Sequence, residues 1–127
     1  MKAILDKIFE IESLLQFNSD NLQCFKDFND YELNKTYTIE DEIQITKIVD
    51  KEHFVRFIAV LLPQKSFNLH CHNCIEKIKV LGGQLEDSKR RVIADVNEEI
   101  LYSKSEVHMP RNPSTSENCT LQIDFYK

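Results

Sequence analysis

From Thr36 onward the apolar residues recur at every second position, in short runs separated by polar turns. That alternation restricts the possible folds more than any other feature of the chain. A period of two puts successive side chains on opposite faces of an extended strand. "TYTIEDEIQITKIV" alternates and is rich in β-branched residues, so it predicts one long strand or two short ones. "HFVRFIAVLLP" predicts a well-buried strand ending at Pro63, and "FNLHCH" a further one. "EKIKVLGG" sets Ile78 and Val80 against lysines and stops at a glycine pair, while "QLEDSKRRVIADV" predicts a hairpin with a polar tip. "EILYS" and "EVHMP" predict short strands, and "CTLQIDFYK" a last one with Leu121, Ile123 and Phe125 on one face. About eight strands with short connections predict a mainly β fold, a closed or two-layer antiparallel barrel.

The N-terminal part follows a different period. Ile4, Leu5, Ile8, Phe9, Ile11 and Leu15 are spaced by threes and fours with charges between them, which predicts an amphipathic helix from residue 2 to about 16. Asn18-Ser19-Asp20-Asn21 ends it, and the following "LQCFKDFNDYELN" is a short helix or an irregular aromatic-rich strap. The expected organisation is therefore a helix and strap over 1–35 packing on a barrel over 36–127. The helix is expected to cover a barrel face or reach a second subunit of a homodimer. At 127 residues the chain suits one domain with a real core.

A net charge of −5 disfavours nucleic acid and anionic membranes as partners. The basic run Lys89-Arg90-Arg91 follows Glu86-Asp87-Ser88 and reads as a solvated turn. "MKAILDKIFEIESLL" is broken by Asp6, Lys7, Glu10 and Glu12, so no secretory signal is expected, and no run is long enough for a membrane span. A cytoplasmic location follows as the expectation, with the four cysteines as thiols.

The chemistry is concentrated in "FNLHCHNCIEKIKVLGG", residues 67–83. On a strand His70 and His72 share a face, and Glu76 can join them across a turn at Asn73-Cys74. Two imidazoles and a carboxylate facing inward form a metal site with open positions, suited to Fe, Mn, Ni or Zn. Two other readings stand beside it. The histidines could simply be hydrogen-bonded in a barrel mouth. The Cys71-x-x-Cys74 spacing could bind zinc or work as a redox pair, although Cys24 and Cys119 supply no second close pair.

The same segment resembles the first motif of the cupins, His-x-His-x-x-x-Glu followed by six residues and Gly, here His70, His72, Glu76 and Gly83. The Leu-Leu-Pro lead-in, the Val-Leu-Gly-Gly exit and the closing "LQIDFYK" are also similar to small bacterial cupin domains, over roughly residues 53–127. The resemblance implies a small jelly-roll β-barrel, often a homodimer, with metal held inside by the histidines and glutamate of that motif. The second cupin motif departs from the pattern. Aligned on Pro110, its glycines fall at Lys104 and Asn112, its histidine at Thr115 and its asparagine at Cys119. Asn112 is a tolerable stand-in for a left-handed glycine. Thr115 is a poor metal ligand, so it is expected to bind ligand or orient a water. In this alignment Met109 points inward and His108 outward, as a surface or interface residue; His53 is structural or exposed.

Two states of the pocket follow. In one, His70, His72 and Glu76 hold a divalent metal completed by water or ligand; in the other, no metal is present and the same groups bind a small polar molecule. The expected function is a non-catalytic or weakly catalytic binding module. The alternatives are a metal-dependent cupin enzyme of dioxygenase, isomerase or decarboxylase type acting on a small polar substrate, and a protein-interaction part carried by the N-terminal helix. The fold alone does not choose among them.

Overall fold

The computed structural model describes residues 28–127. The predicted helix over residues 2–16 lies outside the described residues, as does the strap as far as residue 27. Eight strands form: β1 (Thr36–Ile39), β2 (Ile43–Lys51), β3 (Phe54–Leu61), β4 (Ile75–Gly82), β5 (Leu85–Asp87), β6 (Val92–Ala94), β7 (Glu99–Tyr102) and β8 (Cys119–Tyr126). Six pair antiparallel in the order β1-β2-β3-β8-β4-β7, and β5 and β6 form a separate two-stranded sheet. The mainly antiparallel β architecture is the one predicted from the alternation.

The period-two pattern is realised as burial. In β3, Val55, Phe57, Ala59 and Leu61 are inaccessible while the residues between them are partly exposed. In β8, Cys119, Leu121, Ile123 and Phe125 form the matching inward row. Register then stacks these residues across the sheet. Ala59, Leu121 and Val80 are cross-strand partners, as are Phe57, Ile123, Ile78 and Ile100. Each such row buries apolar side chains shoulder to shoulder, which is the unit of sheet stabilisation.

The long alternating segment from Thr36 divides in two at a 3-10 turn over Glu40–Glu42. Asp41 and Glu42 take left-handed φ values of 52° and 60° there. Their strain is compensated by contacts to the segment after β3. The Asp41 carboxylate accepts from the Ser66 amide (3.0 Å) and Lys65 Nζ (3.3 Å), and the Glu40 carboxylate from the Asn68 amide (2.7 Å) and Asn68 Nδ2 (3.1 Å). Of the strap, Phe28–Asp30 is a 3-10 turn, and the Phe28 ring packs 4.6 Å from that of Phe125.

The hairpin with a polar tip forms as β5–β6 around a turn at residues 88–91. Its basic run is not wholly solvated, because Arg90 pairs with Glu106. At the exit of β4 only glycine fits position 83: φ is +75°, and an added Cβ would stand 2.4 Å from the Asn118 carbonyl oxygen.

"FNLHCH" and "EVHMP" differ from expectation. Neither is a regular strand; they meet through isolated bridges, Ser66 with Arg111 and His70 with His108. The side chains explain the irregularity. Both histidines bond to carbonyls of their own segment, and such local bonds compete with a ladder. No helix among the described residues is long and apolar enough to cross a membrane.

Candidate metal centre

The strand register sets the position of Glu76. Val55, Phe125, Glu76 and Tyr102 are successive cross-strand partners along one inward row through β3, β8, β4 and β7. A carboxylate, 2% exposed, is thus planted among apolar and aromatic neighbours. An isolated buried charge there would be costly, so it needs partners.

The partners come from the two irregular segments. The His70 amide donates to the His108 carbonyl (3.0 Å) and the His108 amide to the His70 carbonyl (2.9 Å), which locks the segments side by side. The Ser105 amide donates to the His72 carbonyl (2.8 Å). His70 Nδ1 lies 2.5 Å from the Asn68 carbonyl and His108 Nδ1 lies 2.9 Å from the Glu106 carbonyl. A carbonyl can only accept, so both Nδ1 atoms carry the hydrogen. Each ring therefore turns its Nε2 toward the interior, an orientation common among metal-ligating histidines.

The result is a cluster of His70, His72, Glu76 and His108, all buried, with one ligand atom of each within 4.8 Å of all the others. His108 Nε2 is 2.6 Å from Glu76 Oε1, and His72 Nε2 is 3.7 Å from the same oxygen. The His70 and His72 ring centroids are 4.9 Å apart, and those of His70 and His108 4.2 Å. Phe125 packs 4.7 Å from His72, and Phe67 5.9 Å from His70, giving the cluster an apolar wall.

No protein-family model matches the chain, and no curated protein matches it in sequence. Solved structures do match in shape. A RmlC-like cupin from Shewanella frigidimarina aligns with a TM-score of 0.64 at 10% identity, covering 82% of this chain and 90% of that one. A cupin 2 conserved barrel domain protein from Salinispora arenicola gives 0.61 at 14% identity, over 73% and 82%. The cupin domain of a Schizosaccharomyces pombe protein gives 0.61 at 9% identity, over 67% of this chain and only 61% of that one. The chain has the cupin fold.

Within that cupin fold the structure departs from the sequence expectation at His108, Met109 and Asn112. His108 is 1% exposed and inside the cluster, while Met109 is 37% exposed. The expectation rests on the motif alignment at Pro110, whereas β7, with Ile100 and Tyr102 buried, already sets even-numbered positions inward. The same parity holds on both sides of the turn at residues 104–105. Counting back from buried Pro110 gives the true alternation, since residues 108, 110 and 112 are all buried. Thr115, expected to bind ligand, is exposed in a bend. Asn112 does not supply left-handed backbone. It is a fully buried staple whose Nδ2 donates to the Leu61, Leu62 and Glu117 carbonyls (3.1, 3.2 and 2.7 Å), and whose Oδ1 accepts from the Ser114 amide (3.0 Å).

The electrostatics are compatible with a metal ion. Burial holds both His70 and His72 near a pKa of about 3, with the nearby His108 adding to the effect, so both stay neutral and keep a lone pair for a ligand. Glu76 Oε1 and His108 Nε2 touch, yet with the His108 hydrogen on Nδ1 no proton lies between them, and neither has a hydrogen-bond partner. Two buried lone-pair atoms in such proximity call for a shared cation or proton. Three imidazole nitrogens and one carboxylate oxygen fit a first-row divalent metal.

The cysteines stand apart. Cys71 is partly exposed, and Cys74 and Cys119 are buried with thiols pushed up to about 11 and about 12 by burial, which disfavours the thiolate that metal binding or redox exchange requires. His53 is exposed on the turn between β2 and β3.

Proposed function

We propose that this cupin-fold protein holds a divalent first-row metal ion through His70, His72, Glu76 and His108, and presents it to a small polar ligand as a binding module. The observation that carries the reading is the convergence of four buried ligand atoms within 4.8 Å, two of which lack any hydrogen-bond partner. A bound metal would supply Lewis acidity and open coordination positions. The chain's own residues do the rest. The Asn68 and Glu106 carbonyls fix two imidazoles with Nε2 inward, Glu76 supplies the negative charge, and Phe67 and Phe125 keep water from their sides of the cluster. Thr115 takes no part.

Metal analysis of protein purified without chelator tests the reading. Near-stoichiometric iron, manganese, nickel or zinc is expected in the wild type and its loss in His72→Ala, with far-UV circular dichroism unchanged. Equal metal content in the two proteins would refute the proposal.

A further inference from the structure

His108 is gripped by its surroundings in a way that suggests a role for residues outside the cluster. Tyr102 stacks on its imidazole face to face, with centroids 3.8 Å apart and planes at 10°. The other ring contacts of the cluster histidines are tilted between 43° and 71°. Neutral rings prefer offset or edge-on arrangements to a direct sandwich. The stack is therefore imposed from outside, and its supports can be traced.

Tyr102 occupies the β7 position directly opposite Glu76, so its Cα is fixed by the ladder. Its hydroxyl donates to Asp87 Oδ2 at 2.5 Å. Asp87, 1% exposed, is pinned in turn by the Lys89 and Arg90 amides, which donate to its Oδ1 at 3.0 and 3.2 Å. The Arg90 guanidinium lies 4.7 Å from the centre of the Tyr102 ring and donates twice to Glu106 Oε2, at 3.0 and 2.5 Å. The carbonyl of Glu106 is the one that takes His108 Nδ1–H. The contacts thus close a circuit from Asp87 through Tyr102, His108, Glu106 and Arg90 back to the Asp87 turn. Tyr102 cannot be a ligand itself while its hydroxyl is given to Asp87. An imidazole that donates its lone pair to a metal becomes electron-poor, and an electron-poor ring gains from lying over the electron-rich phenol face.

We propose that Tyr102, locked by Asp87, is a positioning residue that sets the orientation of His108 and thereby the geometry of the metal site. The inference rests on the metal-binding reading above. Cobalt(II) titration separates the two, because its visible absorption bands report coordination geometry. Wild-type protein is expected to bind one cobalt with bands that His72→Ala abolishes; failure here refutes the metal reading itself. With that established, Tyr102→Leu is expected to weaken cobalt about tenfold to a hundredfold and to shift the bands, and Tyr102→Phe, which keeps the ring but loses the bond to Asp87, to show a smaller weakening and shift. Wild-type bands and affinity in Tyr102→Leu would overturn the proposal. Should that variant fail to fold, Asp87→Asn carries the test, since it preserves shape and weakens only the lock. Shifted bands and weaker cobalt binding in Asp87→Asn support the positioning role, and unchanged ones overturn it.

Discussion

The site joins two kinds of chain. Glu76 and Tyr102 stand on regular ladder strands, where register fixes their backbone. His70, His72 and His108 stand on segments that touch through isolated bridges and side-chain clasps. The inward rows of the ladder are mostly apolar and closely paired. The bridging segments hold their shape through polar contacts at a few named atoms. The difference teaches that stability rests mainly on the ladder while the imidazoles are oriented by the bridging segments, and substitutions should tell the two apart.

The largest effect is expected on the ladder. Phe125→Ala removes a fully buried ring that packs on Phe28, Phe57 and His72, and should cost about 3–5 kcal/mol of unfolding free energy in a urea titration. His70→Ala, on a bridging segment, should leave the metal-free protein within about 1 kcal/mol of wild type. Comparable losses from the two would break the distinction.

Acid should act next, and through the bridging segments. His70 and His72 stay neutral in the fold down to about pH 3, whereas unfolded imidazoles protonate near 6.5. Above 6.5 neither state binds the extra protons and nothing changes. Between 6.5 and about 3 only the unfolded state takes them up, so metal-free protein should lose up to about 1.4 kcal/mol per pH unit for each group. Denaturant midpoints across that window, compared with His70→Ala, would reveal the slope. A flat profile would mean that the histidines are not buried as described.

A smaller effect is expected from Glu40→Gln. It loosens the clasp on Asn68, whose carbonyl orients His70, and should weaken metal binding by roughly tenfold, about 1.4 kcal/mol. Smallest of all is Thr115→Val, exposed in its bend, with stability and metal affinity both within about 0.5 kcal/mol of wild type. A strong loss of metal binding there would return Thr115 to the pocket.

Sequence legibility divides along the same line. Alternation revealed the ladder strands because each buries one face, and parity then determines which residues point inward. The first-motif spacing indicated His70, His72 and Glu76 as a group, since they lie within seven consecutive positions and the structure places them together. His108 escaped because the motif alignment on Pro110 put Met109 inward, although β7, buried at Ile100 and Tyr102, already set even-numbered positions inward. Tyr102 was hidden for another reason. Nothing in "EILYS" signals that its ring meets an imidazole brought from beyond the next turn. Long-range pairing of irregular segments has no local period to betray it.

The central position of β8 has a consequence for biosynthesis. This strand, later in sequence than the other seven, lies between β3 and β4 and pairs with both. A nascent chain emerging from the ribosome therefore carries two unzipped strand borders, at β3 and β4, until residues 119–126 arrive. Closure is a late event with high contact order, slow by nature and exposed to mispairing meanwhile. A premature stop ahead of Cys119 would leave the earlier strands without the one that joins them.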